Sequence, residues 1–207
     1  MTKARLVSLL LFAATICPLA ASAQEPGRLV AIQQRKYRMG AELVVGGMFE
    51  PLDAFSKGLA AEGAFLLHFN DDWAWEILRG GYVGRIDTGL RTQLLRDFGV
   101  IPTAIPALKY YAGSALQWSP LYGKFAVSNG SLIHLEAFVT FGGVLGFFNS
   151  TGDDKRVGPE LGVGTRLFLN QTVSVRLDAR DAWFFAATRQ NVLFFSLGLS
   201  INLGGND

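Results

Sequence analysis

Leu132–Phe148, LIHLEAFVTFGGVLGFF, decides the fold. Read with a period of two, one face is Ile133, Leu135, Ala137, Val139, Phe141, Gly143, Leu145 and Phe147. The other face carries His134, Glu136, Thr140 and two glycines among its apolar members. Successive strand side chains point to opposite sides, so the stretch predicts one continuously apolar face and one that holds polar groups. Strands in soluble proteins usually have about 5–6 residues, whereas a tilted strand crossing a bilayer needs about 9–11. Length and alternation together predict a strand of a membrane β-barrel.

Seven further stretches repeat the pattern. Upstream lie Arg38–Phe49, with Leu43 and Val45 outward and Glu42 inward, and Gly58–Phe69, with His68 and Glu62 on the inner face. Trp73–Arg85 follows the turn Asn70-Asp71-Asp72; Gly80-Gly81 is a candidate bulge there, which leaves the direction of Arg79 open. Leu108–Trp118 puts Tyr110, Ala112, Ser114 and Leu116 outward and ends at Ser119-Pro120. Downstream are Pro159–Leu169, with Glu160, Arg166 and Phe168 inward, and Thr172–Asp181, with Ser174, Arg176, Asp178 and Arg180 inward. Asn191–Leu203 closes the set, with Leu193, Phe195, Leu197 and Leu199 outward.

The connections differ in length. Ile86–Ala107 is the longest, and Leu90, Leu94, Leu95 and Phe98 follow helical spacing within it, with Thr88 as N-cap and Gly99 as stop; it reads either as a short amphipathic helix on the barrel rim or as an apolar loop folded on itself. Asn149–Arg156 and Ala182–Gln190 read as loops, and Leu121–Ser131 reads either as an extension of the fourth strand toward the turn Asn129-Gly130 or as a helical turn. Trp73, Trp75, Trp118 and Trp183, with Phe184 and Phe185, are candidates for the water–lipid interface, where an apolar ring can keep its N–H wet. The predicted fold is all-β, an eight-stranded antiparallel up-and-down transmembrane barrel. An even strand count returns both ends to one side, the periplasm in an outer-membrane barrel.

The segment ahead of the barrel fits export. Lys3 and Arg5 precede an apolar run from Leu6 to Ile16, and Ala21-Ser22-Ala23 matches an A-x-A cleavage site. The expected organisation is a signal peptide over 1–23, a periplasmic lead-in over 24–37, the barrel over 38–203 and a tail over 204–207. Cys17 lies in the leader, so the expected mature chain has no disulfide framework. The chain has 19 Lys and Arg against 17 Asp and Glu, and two of the bases lie in the leader, so the rest is balanced. No basic cluster argues for a nucleic-acid partner.

The stretches QQRKYRMGAELVVGGMFEPLDAFSKGL, DTGLRTQLLRDFGVIPT, LKYYAGSALQWSPLYGKFAV and RLFLNQTVSVRLDARD resemble a family of outer-membrane β-barrel domain proteins found in myxobacteria and related deltaproteobacteria. The resemblance covers nearly the whole mature chain and implies fold and location; it implies no particular activity. Leu203 is followed by Gly204-Gly205-Asn206-Asp207, a departure from the aromatic ending familiar in such barrels.

The chemistry resides in the inward face. The candidate lumen network is Glu42, Glu62, His68, Glu76, Lys109, His134, Glu136, Arg166, Arg176 and Asp178. Eight strands enclose a space that side chains can fill, and charges inside must pair because an isolated buried charge is costly. The expectation is a structural network with no catalytic set, metal site or cofactor. Ser131, His134 and Glu136 contain the residue types of a hydrolytic triad, but Ser131 has the opposite parity. Asp71-Asp72 and Asp153-Asp154 read as solvated turns. The partners expected are outer-membrane lipids and periplasmic or outer-membrane proteins, with a structural, anchoring or docking role. A narrow solute channel and a lipid-modifying enzyme are the alternatives.

Overall fold

The computed structural model describes residues 35–51, 56–87, 89–99, 107–128, 131–150, 152–185 and 190–204. The expected signal peptide, most of the lead-in, Thr88 and Asn129-Gly130 lie outside these residues. Among them are β1 (Ala41–Glu50), β2 (Ser56–His68), β3 (Trp73–Asp87), α1 (Gly89–Phe98), β4 (Ala107–Ser128), β5 (Ser131–Ser150), β6 (Gly152–Phe168), β7 (Val173–Phe184) and β8 (Gln190–Asn202). Each strand pairs antiparallel with its sequence neighbour, and β8 returns to β1, so the sheet closes and has no edge along the barrel wall.

Both described chain ends lie at one end of the barrel, called here the terminal end: the Leu203 amide donates to the carbonyl of Ala41 at 2.7 Å. Two turns at this end are built alike. Asn70 Oδ1 accepts from the amides of Asp72 and Trp73, and Asn170 Oδ1 accepts from those of Thr172 and Val173. An Asn side chain that mimics a backbone turn is why these two points reverse the chain so tightly. At the opposite, far end, α1 is a real helix, exposes Leu90 and Phe98, and stops at Gly99 with φ +63°. A left-handed residue is the common helix terminator, and glycine adopts it without a Cβ penalty.

Three expected boundaries move. Asn149–Arg156 is not a loop: β5 runs to Ser150 and β6 starts at Gly152, pairing Phe148 with Asp154 and Phe147 with Lys155. Of the two readings of Leu121–Ser131 the strand extension holds: β4 does not stop at Ser119-Pro120 but bulges between Trp118 and Leu121 and continues to Ser128 opposite Ser131. A bulge spares Pro120 the ladder bond it lacks the N–H to make. β7 runs on to Phe184, which turns into the barrel and is buried, so Phe184 is not an interfacial residue.

The wall is apolar outside and charged inside. Val45, Leu78, Val163, Leu177, Leu197 and Leu199 are each exposed on the exterior, while Arg166, Glu42, Glu76 and Glu136 are fully buried within. A water-soluble barrel would reverse this, since burying charge and exposing large aliphatic groups to water both cost free energy. Trp73 stacks on Trp118 at 6.1 Å near the terminal end, and Trp75 Nε1 donates to Ser114 Oγ at 3.0 Å. Trp183 stands partly exposed at the far end of β7, so the expected interfacial tryptophans occur toward both ends.

Candidate functional site

The lumen is layered along its axis. At the far end Met48, Val83, Leu108, Val144, Phe148, Phe184, Val192 and Phe194 form one apolar cluster with Tyr111 and Ala182. It follows from strand parity, because each of these is the inward member of its alternation near the far end. Tyr111 stacks on Phe194 at 5.6 Å and presents its hydroxyl to Glu62 at 2.6 Å, so one ring joins the apolar layer to the charged one.

The middle layer is an ion-pair core. Arg180 grips Glu76 with two bonds, Nη1 to Oε1 at 2.7 Å and Nη2 to Oε2 at 2.8 Å, and its Nη1 also donates to Glu160 at 3.1 Å. Such a two-pronged guanidinium–carboxylate pair has geometric as well as electrostatic strength. Arg79 donates to Glu160 and lies 3.3 Å from Glu76 and 3.8 Å from Glu62. Its guanidinium also rests 5.0 Å from the centre of the Tyr111 ring. Arg176 donates to Asp178 at 2.8 Å and lies 3.7 Å from both Glu42 and Glu76, linking this layer to the next.

Toward the terminal end, Glu42 accepts from Arg166 Nη2 and Ser200 Oγ, each at 2.5 Å, and its Oε2 lies 2.8 Å from His68 Nε2. Arg166 also donates to Glu136 at 3.1 Å. Phe138 sits between Arg166 and Arg176, 4.3 Å from the latter, so an aromatic face covers cation surface that carboxylates leave bare. Room for that ring comes from Gly164, where a Cβ would lie 2.4 Å from Phe138 Cζ. The charges run without a break from Glu62 through Arg79, Glu160, Arg180, Glu76, Arg176 and Glu42 to Arg166 and Glu136.

Of the ten expected lumen residues, Glu42, Glu62, His68, Glu76, Glu136, Arg166, Arg176 and Asp178 belong to this network. His134 is buried in the lumen as expected, but it packs against Tyr37 and Tyr122 at the terminal mouth. Lys109 does not face inward. β4 bulges between Leu108 and Tyr110, so Leu108 and Tyr111 take the inward places, and Lys109 is exposed, its Nζ 5.3 Å from the Tyr110 ring.

The converse holds for Arg79. The expected bulge at Gly80-Gly81 lies instead at Ile77: Leu66 pairs with Glu76, and the preceding Phe65 pairs with Leu78. The extra residue swaps parity, so Glu76 and Arg79 both point inward although three positions apart. Glu160 and Arg180, inward by alternation but outside the expected set, complete the core; their parity was the available signal. Asp72 and Asp154 are not merely solvated, since Asp72 pairs with Arg35 at 3.0 Å and Asp154 pairs with Arg156. No cluster of metal-ligating side chains occurs among the described residues.

One carboxylate stands apart. Glu50, at the far end of β1, is buried with 1% of its surface exposed, and neither oxygen has a hydrogen-bond partner among the described residues. It lies over Gly58 and beside Val83, where a Cβ at position 58 would touch both side chains.

These features define a class of protein, an eight-stranded membrane barrel with a charge-filled interior. No family model matches the chain. No curated protein matches it either. Among solved structures, the chain is similar to the N-terminal β-barrel domain of Pseudomonas aeruginosa OprF, with a TM-score of 0.52, 11% identity, and coverage of 80% of this chain and 100% of that one. It also matches the outer membrane protein OprG of the same organism, with a TM-score of 0.46, 11% identity, and coverage of 81% and 97%. At this identity the first likeness is one of fold, and the second adds nothing to it.

Proposed function

We propose that this protein is an integral outer-membrane barrel with a structural, anchoring or docking role in the cell envelope, its lumen filled by its own side chains. The observation that carries the reading is the unbroken run of buried ion pairs beneath an apolar layer at the far end. A conducting pore of eight strands would need polar side chains to leave space for water, and here they are spent on one another. The apolar exterior supports contact with outer-membrane lipid, and the resemblance to outer-membrane barrel domain proteins supports the same location. On this reading both termini are periplasmic, and outer-membrane or periplasmic proteins are the partners.

Planar-bilayer recordings test it. The wild-type protein should give no reproducible conductance. A stable conductance whose ion selectivity reverses in Arg176→Glu would overturn the filled lumen. Fractionation tests location: the protein should separate with outer membranes and migrate faster unheated than boiled, and recovery as a detergent-free soluble monomer would refute it.

A further inference from the structure

At the terminal end the lumen is closed by residues outside every strand. Arg35, Lys36 and Tyr37 precede β1 and cross the mouth. Arg35 Nη2 donates to Asp72 at 3.0 Å and to the carbonyl of Ser119 at 2.8 Å. Its Nη1 faces Glu136 Oε2 at 3.5 Å, and its guanidinium lies 5.4 Å from the Tyr122 ring. Although it lies outside the wall, the Arg35 side chain is only 12% exposed. The Lys36 amide donates to Tyr122 Oη at 3.3 Å. Tyr37 stacks on Phe168 at 5.4 Å and meets His134 edge-on at 5.0 Å.

The seat is built by the bulge in β4. From Tyr111 to Gln117 the odd positions of β4 face inward; past Ser119-Pro120 the parity changes, and Tyr122 pairs with Glu136 and faces the lumen. Without the extra residue, Tyr122 would point to the exterior and Arg35 would lose its aromatic floor.

Among the described residues, the segment is tied to the wall on its C-terminal side. Asn202 Oδ1 accepts from the Gly40 amide at 3.2 Å, and its Nδ2 donates to the Arg38 carbonyl at 3.0 Å. Gly40 lies so close to the backbone of Gly204 that a Cβ there would fall 2.1 Å from its carbonyl oxygen. Residues 38–40 are therefore pinned to the wall, whereas Arg35–Tyr37 are held by side-chain contacts that can break without disturbing a strand pair.

We propose that Arg35–Tyr37 is a strap docked in a seat formed by Asp72, Ser119, Tyr122, His134, Glu136 and Phe168, and that its release opens the terminal half of the lumen. It rests on the filled-barrel reading and adds to it: the charged layer becomes a blind well with one openable mouth. Water and small polar solutes enter as far as Glu136, Arg166 and Glu42, and the apolar layer keeps the far end shut. Strap release therefore changes lumen access from the terminal side without creating conductance.

Thiol labelling tests the strap, since Cys17 is the chain's one cysteine and Cys17→Ser removes it. The reporter is Ser174→Cys, a buried lumen position on β7 next to Phe168 and Ser200, and exposed Gln93→Cys on α1 gives the reference rate. In detergent-folded protein, a charged methanethiosulfonate should label the reporter slowly. Arg35→Ala with Tyr37→Ala should raise its rate at least tenfold, whereas Arg35→Lys with Tyr37→Phe should raise it much less. Asp72→Arg, which repels Arg35 from an exposed turn and leaves the lumen intact, should speed labelling as well if the double variant does not fold. Reporter rates unchanged by strap removal, or already equal to the reference with the strap intact, overturn the proposal. A wild-type conductance would instead overturn the filled lumen, a separate readout.

Discussion

Removing Arg180 probes the ion-pair core directly. Its guanidinium makes three hydrogen bonds to Glu76 and Glu160, at 2.7, 2.8 and 3.1 Å, with only about 2% of the side chain exposed. In Arg180→Ala, Glu76 retains Arg79 at 3.3 Å and Arg176 at 3.7 Å, and Glu160 retains Arg79. Taking one partner from a buried pair costs about 3–5 kcal/mol because the other charge is stranded. The remaining arginines argue for the lower part of that range, about 3 kcal/mol. With a urea slope of about 1–3 kcal/mol per molar, the midpoint should fall by about 1–3 M. Tryptophan fluorescence in detergent, paired with heat-modifiable migration, reads this midpoint. Arg180→Lys should recover part of the loss, since it keeps the charge but not the planar fork. Removing Glu76 and Arg180 together should cost less than the sum of the single changes, as expected for direct partners. A shift in Arg180→Ala under about 0.5 kcal/mol, the scale of an ordinary surface substitution, would refute the reasoning.

Four other outcomes follow from the same structure. Lys109→Ala should change stability by no more than about 0.5–1 kcal/mol, the worth of an exposed cation–aromatic contact, as measured by the same urea titration. Glu50→Leu should leave the midpoint unchanged or raise it, because a buried carboxylate without a hydrogen-bond partner costs about 1–3 kcal/mol or more; a clear loss would show that Glu50 is paired. Val163→Arg and Leu199→Arg should each lose about 2–4 kcal/mol in bilayers if these exterior positions lie near the midplane; tolerance equal to that of a loop substitution would invert the facing. Gly164→Ala should cost about 1–3 kcal/mol through overpacking against Phe138, and unchanged unfolding would show that the ring moves freely.

Alternation along Leu132–Phe148 and its seven counterparts was sufficient to determine an inside-out, eight-stranded barrel. That is so because a strand's side-chain period is two whatever its neighbours are, so facing is written locally wherever the strand is regular. It correctly turned Glu42, Glu136, Arg166 and Arg176 inward and Val163 and Leu199 outward. Tertiary structure decided the places where regularity fails. The bulges at Ile77, Lys109 and Ser119-Pro120 each insert a residue that the neighbouring strand does not match, and so swap every facing beyond them. One brought Arg79 into the core, another put Lys109 outside, and the third aimed Tyr122 at the mouth. The docking of Arg35 on Asp72, Ser119 and Glu136 was likewise beyond local reading, because its partners lie 37 and 84 residues away for the hydrogen bonds and the seat exists only once the barrel has closed.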